Sequence, residues 1–494
     1  MNKPKIDKKT LKYGSAAVIL TVVFIALIFV LNLVVTTLTD KYNLVVDLTE
    51  EQLYEISPAS KELLGDLGED KIDIIFFTPL DEFDNNEYAK SVKTLALEYE
   101  ENYKNIEIKY INMIENPNLV MKYNAGMSGS DKLSANTVVV ECGDRFTYFD
   151  LGECFVYTQD DSGNYSYYAF NAEYRFTSSI MRVTKLDKPK VVFTTNHLET
   201  VPVQFGDLFE EAGFEVIKLD VSQNEIPADA EVVIINDPQA DFTGIESEGA
   251  GNSEITKLSR YLENGGNVML FVSPATPELK NLDEFAASWG IEVAHGYTVV
   301  DDKNSIPSTG SLALIANYTE GDEVLSPFHS VLSSKENPLK TVSYNTVPLN
   351  ILPVTDTKQR VGAIITASET AYVPANGKQL SAANMPLMAA SYKEIWDKER
   401  QETMRNFFIV GGSTWFTGDG SMSSPYGNTE LLKSTIQHMT DEAMILSVSY
   451  KVYNDTALTV DTATSQNWLM IFVLTLPALV LLVAFVVFLR RRHL

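Results

Sequence analysis

The sequence has few of the residues that metal and redox sites require. Its 494 residues include two cysteines and five histidines, and the histidines show no metal-binding spacing. Cys142 directly follows a strand predicted over residues 137–141, whose hairpin turn at Gly143 directs the chain away from Cys154. The sequence therefore favours two free thiols, with a Cys142–Cys154 disulfide as the alternative, and we expect no metal site and no cofactor.

Positive charge is also scarce. The chain has 39 Lys and Arg against 66 Asp and Glu, a net charge of −27 at pH 7. Such a surface repels phosphate and lacks the basic stripe of nucleic-acid-binding proteins. Nucleic-acid binding is excluded.

Catalytic motifs are missing as well. The sequence contains no G-x-x-x-x-G-K-[ST] phosphate loop and no G-x-S-x-G nucleophile elbow. These absences exclude ATP binding through a phosphate loop and favour a non-enzymatic protein.

Two long uncharged runs lie near the ends of the chain, at residues 14–38 and 468–489. Each is as long as the roughly 20 apolar residues that cross a bilayer, so we predict two transmembrane helices. Lysines in the tail 1–13 and arginines in the tail 490–494 place both termini in the cytoplasm. The prediction is a two-pass plasma-membrane protein with residues 39–467 outside the cytoplasm.

One residue in each run is a candidate for contact with another membrane helix. Asn32 is an amide in an otherwise apolar run, and Pro477 interrupts the second run. An amide seeks a hydrogen-bonded partner, and a proline frees a backbone carbonyl.

The region between the runs reads as two α/β domains. Residues 45–151 show the order β-α-β-α-β-β, which indicates a thioredoxin-like domain, although no Cys-x-x-Cys follows its first strand. Residues 152–185 read as a connector that ends in a short helix. Residues 186–445 alternate strands and helices, which predicts a doubly wound parallel sheet, and residues 446–467 lead to the second run.

Three residues after strands of this second domain are candidates for ligand binding. His197 and Glu199 follow a strand predicted over 190–195, and Asp237 follows a strand over 232–236. Ligands of open α/β sheets bind at the carboxyl ends of strands. The alternatives are a hydrogen-bonded loop for the first pair and a turn for Asp237. Residues 411–414, Gly-Gly-Ser-Thr, are either an anion cradle or a tight turn.

Several phrases in order along the chain resemble one family. They are DLTEEQLYEIS (47–57), EYRFTSSIMRVT (173–184) before KPKVVFTTNHLET (188–200), AEVVIINDPQADF (230–242), SRYLENGGNVMLFVSP (259–274), ASWGIEV (287–293) with TVVDD (298–302), GNTELLK (427–433) and the terminal LRRRHL. The chain thus resembles the GldG-like auxiliary component of gliding-motility-type ABC transport systems. The resemblance implies that the second domain is class I glutamine amidotransferase-like without catalysis.

The leading functional hypothesis follows from this resemblance. It is a non-enzymatic auxiliary subunit that assists a separately encoded ABC permease and a cytoplasmic ATPase. Two alternatives remain: a tethered ligand-binding sensor, and a degenerate amidotransferase- or hydrolase-like enzyme, for which no nucleophile is evident.

Overall fold

The computed structural model of the chain describes residues 22–34 and most of residues 47–453. The gaps within the second range are 48, 50, 66, 84–85, 126–131, 161, 186–187, 245–251, 334–337, 398–400, 423 and 441–446.

The prediction of two flanking transmembrane helices is wrong, and so is that of a two-pass membrane location. Among the described residues, no helix is both long and apolar enough to cross a membrane. Of the first run only residues 22–34, including Asn32, are described, and they are helical. The second run, with Pro477, lies outside the described residues. Neither residue is retained as a membrane contact.

The amino-terminal region forms a four-stranded sheet in the order β2-β1-β3-β4. Its strands are β1 (Ile72–Phe76), β2 (Ile106–Tyr110), β3 (Thr137–Cys142) and β4 (Arg145–Asp150). Its helices are α1 (Pro58–Leu63), α2 (Leu80–Phe83), α3 (Glu87–Asn102) and α4 (Pro117–Tyr123). β1 pairs with β2 in parallel and with β3 antiparallel, so the predicted order β-α-β-α-β-β is present.

The predicted connector is more structured than its sequence suggested. A 3-10 helix (Leu151–Cys154) leads into the hairpin β5 (Phe155–Gln159) and β6 (Tyr165–Phe170), and the helix α5 (Ala172–Thr184) follows. β6 also pairs with β21 (Lys451–Val452), which gives the order β21-β6-β5.

Helix α5 joins the two α/β regions through its buried face. Phe176 packs edge-on against Phe76 and Phe149 of the first sheet. Tyr174 belongs instead to the core of the second region. The two sheets lie in one compact unit that ends at Lys451.

The second region is built on an eight-stranded sheet in the order β13-β16-β19-β20-β10-β9-β7-β8. Its strands are β7 (Lys190–Thr195), β8 (Glu215–Asp220), β9 (Ala230–Asn236), β10 (Asn267–Phe271), β13 (Asn317–Tyr318), β16 (Gln359–Thr366), β19 (Pro386–Asp397) and β20 (Glu402–Gly411). Five neighbouring strands of this sheet are parallel, namely β8, β7, β9, β10 and β20. Beyond β20, the strands β19, β16 and β13 continue the sheet with antiparallel pairing. The fold is mixed α/β.

Helices cover both faces of this sheet, so successive residues of its central strands are buried in two different hydrophobic cores. Val191 and Phe193 lie in one buried cluster and Val192 in the other. The helices are α6 (Val203–Glu211), α7 (Glu254–Glu263), α8 (Lys280–Ser288), α9 (Ser330–Ser333), α10 (Asp419–Met422) and α11 (Asn428–Met439). Sheets buried on both faces have continuous apolar strands, which is the pattern of β7, β9 and β10.

Three short antiparallel pairs complete the described part of this region. They are β11 (Ile291–Val293) with β15 (Leu349–Ile351), β12 (Ala313–Ile315) with β14 (Val342–Tyr344), and β17 (Tyr372–Ala375) with β18 (Lys378–Ser381). Both cysteines are buried free thiols, and burial raises the pKa of the Cys154 thiol.

Candidate functional site at the carboxyl ends of the strands

The parallel strands place a ligand crevice at one defined point of the sheet. In the sheet, β7 has β8, the next strand in sequence, on one side and β9 on the other side. This is a topological switch point, where ligands of doubly wound sheets bind beyond the carboxyl ends of the strands. His197 and Glu199 follow β7, and Asp237 follows β9, so all three candidates lie at this edge.

The loops after β7 and β9 close the crevice by bonding to each other. The backbone N–H groups of Gln239 and Ala240 donate to the His197 carbonyl at 2.8 and 3.1 Å. The Thr200 N–H donates to the Asn236 carbonyl at 3.0 Å, and the Asn236 amide donates to the Thr200 hydroxyl at 2.7 Å. The two loops that flank the switch point are therefore joined directly to each other.

A buried ionic cluster, here called the His197 clamp, holds the first loop. It consists of His197, Glu199 and Glu254, whose side chains are each at most 6% exposed. His197 Nδ1 lies 3.2 Å from Glu199 Oε1, and Nε2 lies 3.1 Å from Glu254 Oε1. Phe242 stacks on the imidazole at 3.9 Å between ring centroids. Both ring nitrogens therefore face carboxylates in a setting with little water.

The charges in the clamp reinforce one another. Burial disfavours protonated His197, but its hydrogen bonds to Glu199 and Glu254 outweigh burial and raise the pKa of His197 to about 9. Burial raises the pKa of each carboxyl, but the hydrogen bond with His197 and backbone donors outweigh it, and the net pKa of Glu199 and of Glu254 is lowered. At neutral pH an imidazolium thus sits between two carboxylates.

Sequence reasoning placed His197 and Glu199 together but missed Glu254. Glu254 is the first residue of α7, after the N-cap Ser253, and it accepts hydrogen bonds from the Thr243 N–H at 2.7 Å and hydroxyl at 3.1 Å. An acidic residue in the first helical turn is ordinary, because it stabilises the helix dipole. Nothing in the sequence linked it to a histidine 57 positions earlier.

Asp237 has a separate role, in contacts between two loops. Its Oδ1 accepts hydrogen bonds from the Thr276 hydroxyl at 2.7 Å and the Ser273 hydroxyl at 3.0 Å. It therefore ties the loop after β9 to the loop after β10, which differs from the local backbone bond of an Asp that closes its own turn.

The glycine-rich segment after β20 bonds to two other chain segments and then enters a 3-10 helix (Thr414–Phe416), whose N-cap is Ser413. The Gly412 N–H donates to the Leu387 carbonyl at 2.9 Å, and its carbonyl accepts from the Val347 N–H at 2.7 Å. A Cβ at Gly412 would lie 2.5 Å from the Val347 carbonyl oxygen. The glycine thus permits close backbone approach.

The arrangement offers little acid–base chemistry. Both ring N–H groups of protonated His197 donate to carboxylates, so neither nitrogen is available to accept a proton from a substrate. Within the described ranges, no group of three or more His, Cys, Asp or Glu side chains has the geometry of a metal site.

Leu198 makes the outer surface of this loop unusual. Asn196 and Leu198 both adopt positive φ, 86° and 61°, and Leu198 is 73% exposed. A left-handed conformation costs an ordinary residue roughly 1–2 kcal/mol. The clamp therefore holds a strained loop that presents a leucine to solvent.

Comparison with known proteins gives one family match, to a domain of unknown function (DUF7088) over residues 50–147. No curated protein matches the chain. Solved structures with local likeness include PurLQS from Thermotoga maritima, at 10% identity and a TM-score of 0.24, covering 51% of this chain and 100% of that one. A glutamine amidotransferase from the same organism has 9% identity and a TM-score of 0.26, covering 53% and 99%. TM-scores this low support no conclusion about the present chain.

Proposed function

We propose that the chain is a non-enzymatic auxiliary subunit of an ABC transport system, which acts by binding a separately encoded permease and ATPase. The observation that supports this proposal is the closed switch point. Where proteins with this strand order hold ligands, this chain has two loops bonded together and a histidine enclosed by carboxylates.

The exposed face of the same loop supports a binding role. Leu198 is exposed and strained, and Val203, at the start of α6, is 68% exposed. Strain that the surrounding structure maintains occurs most often at functional positions. Leu198 is thus the first residue to examine for partner contact.

Substitution of Leu198 separates binding from stability. Asn adopts the left-handed region readily, so Leu198→Asn relieves strain and should stabilise the isolated chain by up to about 1 kcal/mol. We expect the same variant to reduce co-purification of the permease and ATPase when the three proteins are expressed together. Leu380→Asn is the control, because Leu380 is also exposed (52%) but belongs to β18. Equal recovery of both partners with Leu198→Asn and wild type would contradict a contact at this loop.

A separate assay tests the absence of catalysis. The purified chain is incubated with glutamine, and released ammonia is measured for wild type and for His197→Gln. We expect no release above buffer from either protein. Release by wild type that His197→Gln abolishes would overturn the non-enzymatic proposal.

A further inference from the structure

A groove runs along the outer edge of the hairpin strand β5. It consists of two adjoining cavities of about 470 and 330 Å³, which share Tyr426 in their walls. The larger is lined by Phe155, Val156 and Tyr157, and the smaller by Gln159. The volume of each cavity is within the range of ligand-binding clefts, about 300–1,000 Å³.

The groove reaches the backbone edge of β5. Phe155 and Val156 are successive residues, which point to opposite faces of a strand, and both line the larger cavity together with Tyr165 of β6. β5 is an edge strand of the sheet β21-β6-β5. The backbone edge of β5 is thus the floor of the groove.

The hydrogen-bond pattern of the hairpin identifies the outward backbone groups. The Asp160 N–H donates to the Asn164 carbonyl at 3.0 Å, and Gln159 pairs with Tyr165. Bonded and non-bonded positions alternate along an antiparallel pair, so the N–H and C=O groups of Gln159 and Tyr157 point away from β6. They form a row that another strand can join.

The edge of β5 has little protection between Tyr157 and Gln159. Natural edge strands are commonly guarded by lysine, proline, inward charges or a β-bulge. The strand FVYTQ has no lysine, proline or charge, and its bulge lies towards the other end, between Val156 and Tyr157. Its composition of Phe, Val, Tyr and Thr strongly favours strand pairing.

The charged groups of the groove are already balanced. Arg175 lies 2.6 Å from Glu211 and 3.1 Å from Glu153, and Lys433 lies 3.0 Å from Glu430. In a chain of net charge −27, these pairs leave the larger cavity locally neutral. The smaller cavity has one basic and one acidic lining residue, Lys340 and Asp160, so an uncharged segment complements the groove best.

We propose that this groove binds an extended, uncharged, apolar-rich peptide segment of a partner protein, which joins β5 as an added strand. Main-chain hydrogen bonds to Tyr157 and Gln159 supply affinity, and the walls around Tyr426 select side chains at alternate positions. This proposal does not depend on the proposed transport function.

The first test uses capped synthetic hexapeptides in three sets: uncharged, acidic and basic. Fluorescence anisotropy measures their binding to the full chain. We expect binders in the uncharged set, with apolar residues at alternate positions. Preference for a charged set, or no binder in any set, would overturn the proposal.

A matched pair of variants tests the backbone contact. Gln159→Ala and Gln159→Pro both remove the side-chain amide, but only proline removes the outward N–H, and proline is tolerated where that N–H faces away from the neighbouring strand. We expect Gln159→Pro to bind at least about tenfold more weakly than Gln159→Ala. Equal binding by both variants would show that the edge is not used.

Two further measurements avoid dependence on the folding of one variant. N-methylation of alternate amides in the best peptide should abolish binding to wild type, whereas methylation of the intervening amides should not. Tyr426→Ala should weaken binding, and Tyr297→Ala, at an exposed tyrosine outside the two cavities, should not. Insensitivity to N-methylation at every position would refute strand addition.

Discussion

Removal of the central cation from the His197 clamp should produce a large and pH-dependent loss of stability. In His197→Gln, the buried carboxylates of Glu199 and Glu254 lose their shared cation. Breaking a buried ionic group by removing one partner typically costs about 3–5 kcal/mol. Near pH 6, we therefore expect the free energy of unfolding to fall by about that amount.

The pH dependence follows from the direction of each pKa change. The pKa of His197 is raised from 6.5 to about 9 in the folded protein, which corresponds to about 3 kcal/mol. This stabilisation is complete below pH 6.5 and is lost as the pH rises through about 9. The pKa values of Glu199 and Glu254 are lowered, so their contribution is present above about pH 4.5 and is lost in acid.

Urea unfolding followed by tryptophan fluorescence, at several pH values from 6 to 10, measures these quantities. The difference between wild type and His197→Gln should shrink by about 3 kcal/mol over this range. His295→Gln is the control, because His295 has one carboxylate partner, Asp283 at 2.9 Å, whose side chain is 30% exposed. Its pKa is also raised, but we expect a smaller pH-dependent change. A wild-type to His197→Gln difference that stays constant with pH would refute the ionic account of the clamp.

Two further pairs of substitutions test the packing described above. Gly412→Ala places a Cβ 2.5 Å from a backbone carbonyl oxygen and should lower the free energy of unfolding by about 1–3 kcal/mol. Gly206→Ala lies inside α6, with no atom within 4 Å of its Cβ, and should raise that free energy by about 0.5–1 kcal/mol. The midpoint temperature of thermal unfolding should therefore fall for the first variant and rise for the second. Glu173→Gln removes the buried carboxylate that pairs with Lys451 at 2.8 Å and should speed hydrogen exchange around residues 451–453, while Glu210→Gln, at a half-exposed ion pair, should change stability by at most about 1 kcal/mol.

Strands buried on both faces were the elements that the sequence predicted best. β7 was predicted over residues 190–195 and is observed as Lys190–Thr195, because a short apolar run bounded by turn residues has few alternatives. Helix α7 (Glu254–Glu263) also has a local start signal, because Ser253 is a favourable N-cap residue. Local sequence patterns were sufficient to predict an element whose residues all lie in the same kind of surroundings.

Elements that depend on distant partners were harder to predict. The hairpin of β5 and β6 was read as a connector, because its exposed tyrosines and polar residues have no period that identifies a buried face. β19 begins with the apolar run 387–390, but it extends to Asp397 by pairing with β20. Backbone pairing stabilised residues that their own side chains did not mark as strand.

The candidate site was predictable in position but not in character. The rule for parallel sheets placed His197 and Glu199 at the carboxyl edge, where the structure has them. It did not reveal that Glu254 would complete an enclosed ionic cluster, because α7 reaches that edge only through the tertiary fold. The long apolar runs illustrate the converse limit, since composition predicted spanning helices that the described residues do not contain.

The contacts of Lys451 determine how the described body would respond to tension. Its ammonium group donates to the Gln52 carbonyl at 2.7 Å and to the Glu55 carbonyl at 2.5 Å, and it pairs with Glu173 on α5. Positions 399 residues apart in sequence are thereby fastened at one point. A pull applied between residues 52 and 451 would load this fastening first, before any strand of either sheet is drawn apart. The first and last segments of the described body therefore meet at this point, and a linker of a few residues would suffice to join them covalently.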